Sequence, residues 1–420
     1  MGMEKSSKRW ITLLAICIAG GVIFKLAYLR DVFYVPMGEA FNVTNTELGW
    51  MMSAYAVTQT LSAIPGGWLV DAVPVKILVP LSLISTGLLG FWLASYPPFW
   101  VVLLIQVLFG ITINLLFWEA MIKGVRMLGD HKEQGKLFGL LEGGRGLFAT
   151  MISFLALYVF SAFGEGKMGL RATMITYGAV LTALGFLTYF LIEKNEVEEK
   201  INPREALKGL VQVSKYPKVW VAGFIVFFGY GFYNGLSYLT PFLTDEFGIS
   251  VKTGVALSII RTYLIAFIAG PIAGVVADKM GSSIKFLKVA LLMGAILTGL
   301  YLVIPIGDNS LYAMIALMLV LATVVMFIHA TYYSTTSEMN IPIAMAGSAA
   351  GILSLLGNAP DLFIFTVYGH FLDRYPGLLG YKLVFIVMIA FALLGMGSCI
   401  LLLSMLKKEK RGGLKNEVSA

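Results

Sequence analysis

Apolar residues in this chain do not alternate with polar ones; they run on. Twelve largely apolar stretches, each of roughly 20 residues, occupy 10–36, 47–70, 77–95, 99–123, 136–162, 170–192, 218–243, 254–277, 284–304, 310–334, 345–371 and 380–406. None shows the period-two pattern of a half-buried strand. Runs of this length match the hydrocarbon thickness of a bilayer, and in lipid each run must satisfy its own backbone groups, so each is expected to be a helix. One long polar segment, 193–217, separates six runs from six. It holds Glu193, Lys194, Glu196, Glu198, Glu199, Lys200, Arg204 and Lys208, and its 201–210 part has the pattern of an amphipathic surface helix.

The second six runs echo the first. Residues 64–76 (Ile-Pro-Gly-Gly-Trp-Leu-Val-Asp-Ala-Val-Pro-Val-Lys) and 270–281 (Gly-Pro-Ile-Ala-Gly-Val-Val-Ala-Asp-Lys-Met-Gly) each place a Gly four positions before an Asp. Gly67 and Asp71 stand 207 residues before Gly274 and Asp278. Just upstream, Glu39-Ala40-Phe41-Asn42-Val43-Thr44 is echoed 206 residues later by Asp245-Glu246-Phe247-Gly248-Ile249-Ser250. A repeat of half the chain length decides the fold. The expectation is an all-α membrane protein of two pseudo-symmetric six-helix bundles. Residues 1–192 form the first bundle, 193–217 a cytoplasmic linker, 218–406 the second bundle and 407–420 a cytoplasmic tail.

Composition agrees: 58% of residues are hydrophobic and 13% charged, with a mean hydropathy of +0.83, against about 25% charge in soluble domains. The net charge of +7 does not imply a nucleic-acid partner, because its distribution is topological. With the N-terminus inside, 21 of the 31 Lys and Arg residues fall on cytoplasmic segments and five (Lys167, Arg171, Lys252, Arg374, Lys382) on external loops. That asymmetry puts both termini in the cytoplasm of an inner-membrane, multi-pass protein. Lys5, Lys8 and Arg9 before an apolar run resemble a signal peptide, but no small-residue cleavage site follows and the run continues past Lys25, so it reads as the first span. Cys17 and Cys399 lie inside runs and read as core fillers rather than a disulfide. Residues 96–100 fit an interfacial aromatic belt, and Asn42-Val43-Thr44 forms a glycosylation sequon in a short external loop.

Charges inside the runs change the picture most, because one at mid-bilayer costs roughly 2.5–3.5 kcal/mol on insertion scales. They are Lys25, Arg30, Lys123, Arg145 and Arg261, with Asp31, Glu119, Glu142 and Asp361 inside or at the edge of spans. Arg30 and Arg261 lie at similar depth in opposite halves. Two guanidinium forks there suit phosphate, sulfonate or carboxylate, each fork binding two oxygens at once. The alternatives are that Arg30 pairs with Asp31 or snorkels outward, and that Arg261 pairs with Asp361. Lys25 is five residues from Arg30, about 140° around a continuous helix, which would turn it toward a neighbouring helix. Glu119, Lys123 and Arg126 share a face of span four, and Glu142 and Arg145 lie one turn apart on span five. They read as a charge network bracing the cytoplasmic end, or as a gate or proton site. Asn114, Tyr230, Tyr233, Asn234, His329 and Tyr332 offer neutral hydrogen bonds, and His329 is either a proton relay or a packing residue. Glu142-Gly143-Gly144-Arg145-Gly146 sits inside a span, where small residues permit close helix contact. No metal-ligand cluster, phosphate-cradling loop or nucleophile arrangement appears, so neither a cofactor nor an enzymatic reaction is expected.

Twelve spans in two halves, a basic central linker and a doubled Gly-x-x-x-Asp together resemble the major facilitator superfamily, over nearly the whole chain. The family loop reads Gly-x-Leu-x-Asp-Arg-x-Gly-Arg-Arg. The first copy here keeps Gly67, Leu69, Asp71 and a late Lys76, with Ala72 and Pro74 where Arg and Gly are preferred. The second keeps Gly274, Asp278, Lys279 and Gly281, and ends in Ser282-Ser283. The resemblance implies that spans one, four, seven and ten line the pathway, and that Asp71 and Asp278 hold the cytoplasmic side in one state. The alternative for Asp71 is that it caps the next helix. Gln106, four residues before Gly110, stands where proton/drug antiporters carry an Arg, which argues against that branch. Tyr28-Leu29-Arg30 with Phe33, Pro36, Leu48-Gly49 and Ser53, and the segment 344–351, look like organophosphate/phosphate antiporters. In those, a first-span Arg matching Arg30 binds phosphate; Gly229 stands where the span-seven partner Arg would be, and Arg261 is the nearest replacement.

The resulting expectation is a monomeric secondary transporter working by alternating access, with a small organic anion and the lipid bilayer as its partners, acting as an exchanger. Two other readings stay open: a proton-coupled symporter of a sugar acid using Glu119, Glu142 or Asp361, and a transporter-like sensor that binds its ligand without flux.

Overall fold

The computed structural model describes residues 2–130, 133–193, 211–339, 341 and 345–418, and they are helical almost throughout. Residues 194–210, with most of the polar linker and its expected surface helix, lie outside the described residues, as does Ala344 of the 344–351 motif. Among the described residues, ten helical runs are long and apolar enough to cross a membrane. Span two, helix α3 (Asn45–Ala72), and the broken span one complete the twelve spans of an all-α membrane protein.

Several spans change helix type part-way. Span one is helix α1 (Gly2–Val22), two 3-10 turns at Ile23–Lys25 and Leu29–Asp31, then α2 (Tyr34–Phe41). The cause is partly Pro36: it has no N–H to donate to Val32, so one helix cannot run through both. Gln106 Nε2 donates to the freed carbonyl of Ala27 (3.5 Å), which answers the demand that backbone groups in lipid find partners. Span four is α5 (Phe99–Gly110), a π-helical stretch Ile111–Trp118 and α6 (Glu119–Arg126). Span five is α7 (Gln134–Ala162) and span six α8 (Lys167–Leu191). Span seven is α9 (Pro217–Asn234), a 3-10 turn Gly235–Tyr238 just before Pro241, and α10 (Leu239–Phe247). Span eight is α11 (Val251–Ile259), a π-helical turn Ile260–Leu264 and α12 (Ile265–Lys279). Spans nine and ten are α13 (Ser283–Val303) and α14 (Leu311–Thr331), the latter continuing as a 3-10 turn Tyr332–Glu338. Span eleven is α15 (Ala346–Asn358), a 3-10 turn Ala359–Leu362 holding Pro360, and α16 (Ile364–Arg374); span twelve is α17 (Leu378–Val418).

The repeat read from the sequence has a conformational counterpart. Asn42 (φ 52°) and Gly248 (φ 64°) are both left-handed, a region that Asn and Gly tolerate best. Two residues later Thr44 and Ser250 cap the next helix, each side chain accepting the backbone N–H three positions on, at 3.2 Å.

The chain divides into two compact units. The first comprises Met1–Ile201, Gly248–Phe267 and Phe365–Asp373; the second comprises Asn202–Phe247, Ile268–Ile364 and Arg374–Ala420. Small residues set the packing in each. In the first unit a Cβ on Gly21 would lie 2.8 Å from the Arg145 carbonyl, so α1 rides directly on α7. In the second, Gly231 receives the ring of Phe391 and Gly235 the side chain of Met388, seating α9 and its 3-10 turn on α17.

Candidate functional site

Six of the candidate residues lie where helices change type. Lys25 and Arg30 occupy the two 3-10 turns of span one, Asn114 and Arg261 the π-helical segments of spans four and eight, and Asp361 the 3-10 turn of span eleven. Asn234 is the last residue of α9. π-helical segments and breaks of this kind frequently mark functional sites, because they turn side chains and carbonyls out of the regular ladder.

In the first unit, Lys25, Arg30 and Arg261 are all buried, at 4%, 1% and 1% exposure. Arg30 and Arg261 converge on one residue. Arg30 Nη1 lies 3.6 Å from Asp31 Oδ1, and Arg261 Nη2 donates to the Asp31 carbonyl at 3.0 Å and to Thr262 Oγ1 at 3.2 Å. The Arg30–Asp31 pairing expected as an alternative is therefore present, and it coexists with the convergence. Aromatic rings hold the cations. Arg30 lies over Tyr34 (4.9 Å to the ring centroid) and Phe365 (4.6 Å), and Lys25 Nζ sits 3.0 Å from the centroid of the Tyr263 ring. A ring face stabilises a desolvated cation without neutralising it. Lys25 and Arg30 lie in separate 3-10 turns rather than on one continuous helix, so the separation of about 140° expected for a helix does not apply to them. Asn114 Nδ2 donates to the Tyr55 hydroxyl (2.9 Å), and Tyr55 meets Tyr28 edge-on. The chemistry of this unit is that of three buried cations, two of them meeting at Asp31.

In the second unit, Asp361 is buried, and its carboxylate accepts from the Tyr230 hydroxyl (2.9 Å) and from Asn234 Nδ2 (2.6 Å). Tyr230 and Tyr233 stack at 5.7 Å, His329 lies 4.7 Å from Tyr233, and Tyr332 lies 5.2 Å from His329. The result is an aromatic wall beside an oriented carboxylate.

Of the charges expected to brace the cytoplasmic end, Glu142 and Arg145 pair as their spacing suggests, and Lys123 pairs off its own helix. Lys123 turns to Asp71 (3.0 Å) and to the Val70 carbonyl (3.4 Å), linking α6 to α3. Arg145 pairs with Glu142 at 2.7 Å and lies over Trp118 and Phe24. Glu119 packs its Cγ toward Gly66. Asp71 sits within α3, and helix α4 (Val75–Ala94) is capped by Pro74 without a side-chain bond, so Asp71 does not cap the next helix. A Cβ at Gly67 or Gly274 would meet nothing within 4 Å, so close packing does not explain either glycine, and Asp278 is exposed. Asp71→Asn is expected to lower stability by about 1–2 kcal/mol, between the surface and buried values for an ion pair. Thermal melting of the purified variant measures this, and the exchanged pair Asp71→Lys/Lys123→Asp should recover part of the loss. Melting unchanged in the single variant would remove the pair as a brace.

Tyr263, Tyr34 and Phe365 escaped the sequence reading. Tyr34 stands four residues after Arg30, a spacing that hinted at contact. Nothing local marked Tyr263 or Phe365, since their partners are more than 200 residues away.

The family model described as Major Facilitator Superfamily matches residues 16–363. The chain is 32% identical to "Inner membrane protein YihN" of Escherichia coli (strain K12), over 98% of this chain and 99% of that one. It is 31% identical to "Inner membrane protein YqcE" of the same organism, over 90% and 91%. Among solved structures it resembles a bacterial homolog to the human lysosomal transporter Spinster in an inward-facing and unoccupied conformation, with TM-score 0.75, 15% identity and coverage of 96% and 98%. It also resembles the nucleoside transporter NupG, with TM-score 0.72, 14% identity and coverage of 95% and 99%.

Proposed function

We infer the function from one premise: this chain belongs to the major facilitator superfamily, and it is a membrane transporter rather than an enzyme. We propose that its cargo is a small organic anion bearing a phosphate, sulfonate or carboxylate group, carried by exchange through alternating access. The observation that carries this reading is the burial of Lys25, Arg30 and Arg261 on the broken parts of spans one and eight. Burying guanidinium and ammonium groups is costly unless their charge is used. Two forks converging on Asp31 offer several N–H groups to oxygens that arrive with the cargo. The inner membrane is the proposed location, in keeping with the names of the relatives, with both termini on the cytoplasmic side.

Asp361 favours a second reading. A buried carboxylate held by Tyr230 and Asn234 is a group whose protonation would change its partners, as proton-linked symport requires.

Labelled uptake into proteoliposomes separates the two. Vesicles preloaded with phosphate, sugar phosphates, sulfonates or hexuronates are compared with and without a pH gradient. Exchange is expected to proceed without the gradient and to require an anion inside. Uptake that needs the gradient and no internal anion would transfer the assignment to symport through Asp361. Binding without flux in either condition would reject transport and leave a sensor.

A further inference from the structure

At the ends of spans two and eleven that the charge asymmetry places outside, one carboxylate takes four donors. Asp373, near the end of α16, accepts through Oδ1 from the backbone N–H of Asn45 (3.0 Å) and from Asn45 Nδ2 (2.9 Å). Through Oδ2 it accepts from the backbone N–H of Thr46 (2.8 Å) and from Thr46 Oγ1 (2.5 Å). Asn45 and Thr46 open α3, so the carboxylate meets the first free amides of that helix, where its charge is favoured. Two glycines bring the backbones together: a Cβ on Gly369 would lie 2.2 Å from the Asn45 carbonyl oxygen, and one on Gly49 would lie 2.5 Å from that of Phe365. Ser53 and Thr366 share a hydrogen bond at 3.1 Å one turn deeper.

This contact is tied to the buried cations. Asn45 accepts from the Tyr34 hydroxyl at 2.8 Å through its Oδ1, while its Nδ2 donates to Asp373. The Tyr34 ring carries Arg30, and Arg30 also lies on Phe365, at the start of the same helix that carries Asp373 near its end. Moving Arg30 therefore disturbs both routes to the junction of α3 and α16.

We propose that Asp373 is a latch that closes the outer end of the transport pathway by capping α3, and that the Tyr34–Asn45 hydrogen bond sets the latch according to the position of Arg30. The latch must break when α16 leaves α3 and re-form when it returns, once per turnover. Losing the Asp373 charge favours the open state while Lys25, Arg30 and Arg261 all remain. Losing the Tyr34 hydroxyl frees Asn45 and weakens the hold on Asp373 by a smaller amount.

The test uses the full chain in lipid nanodiscs with Cys17→Ser and Cys399→Ser, and Ser53→Cys as reporter. In this background maleimide labelling at position 53 is slow while the latch is made. Asp373→Asn is expected to raise the labelling rate at least about tenfold, equal to about 1.4 kcal/mol, and Tyr34→Phe about threefold. Should Asp373→Asn fail to fold, Thr46→Ala removes one of the four donors and gives a smaller rise. Labelling of both Asp373→Asn and Tyr34→Phe at the parent rate would overturn the proposal. A second arm oxidises the Ser53→Cys/Thr366→Cys pair, which is expected to stop exchange in proteoliposomes until a reductant is added. Full exchange by the cross-linked protein would equally overturn it. Only this second arm rests on the transporter reading; labelling reports the latch whether or not any cargo crosses.

Discussion

Arg30→Ala is expected to lower anion exchange at least about 100-fold while leaving the protein folded. A guanidinium that holds a bound anion contributes charge-assisted hydrogen bonds of about 1.5–3 kcal/mol each, and losing two of them corresponds to two or more decades of affinity. Arg30 is 1% exposed and sits within 3.6 Å of Asp31. Its removal leaves Arg261 bonded to the Asp31 carbonyl without a second fork to complete the clamp. Arg30→Lys keeps the charge and loses the fork, so it should recover only part of the activity. Labelled counterflow at several concentrations measures both variants, beside gel filtration and melting to confirm folding. Exchange by Arg30→Ala at the wild-type rate would remove Arg30 from the proposed anion site.

The second large effect is expected at Gly369. A methyl group there would lie 2.2 Å from the carbonyl oxygen of Asn45, an atom of backbone that has no rotamer with which to yield. Gly49 faces Phe365 in the same way. Overpacking a close contact typically costs about 1–3 kcal/mol even where side chains can adjust, so Gly369→Val should separate α16 from α3 at that level. The expected outcome is turnover at least about tenfold lower, with substrate affinity unchanged. Gly139→Ala, where a Cβ meets nothing within 4 Å, serves as the control and should be neutral. Turnover in Gly369→Val equal to that of the control would mean that the approach of α16 to α3 has no part in the cycle.

Both predictions concern residues that the sequence marked unequally. Arg30 stood out because a charge in an apolar run is expensive wherever the run folds, and that cost is visible in one dimension. Gly369 did not stand out, because one glycine among 45 carries no sign of the backbone it will face. The same contrast separates Lys123 from Asp71. Each was singled out, Lys123 with the charges of span four and Asp71 with the doubled motif, yet their pairing at 3.0 Å joins segments 52 residues apart. Helical spacing suggested Glu119 as the neighbour of Lys123, since it reports only residues on one helix.

The sequence by itself determined the twelve spans, their helical nature, the internal repeat and the set of buried charges. Those follow from hydrophobic length, the absence of alternation and the cost of charge in lipid, all of which are local properties of the chain. The repeat even fixed conformation, since Asn42 and Gly248 take the same left-handed turn before Thr44 and Ser250. Tertiary structure alone decided which charges meet and where the π-helical turns fall; prolines mark only some of the breaks, such as Pro36 in span one and Pro360 in span eleven. A π-helical turn such as Ile260–Leu264 exchanges one set of backbone bonds for another at small cost. Packing against other helices selects it, and no residue pattern along the span announces it. Arg261 reaches Asp31 across 230 positions of sequence, and Asp373 reaches Asn45 across 328. Such contacts form only when the folded chain brings distant segments within hydrogen-bond range. The period of one helix describes its own faces and carries no information about the partner that each face will meet.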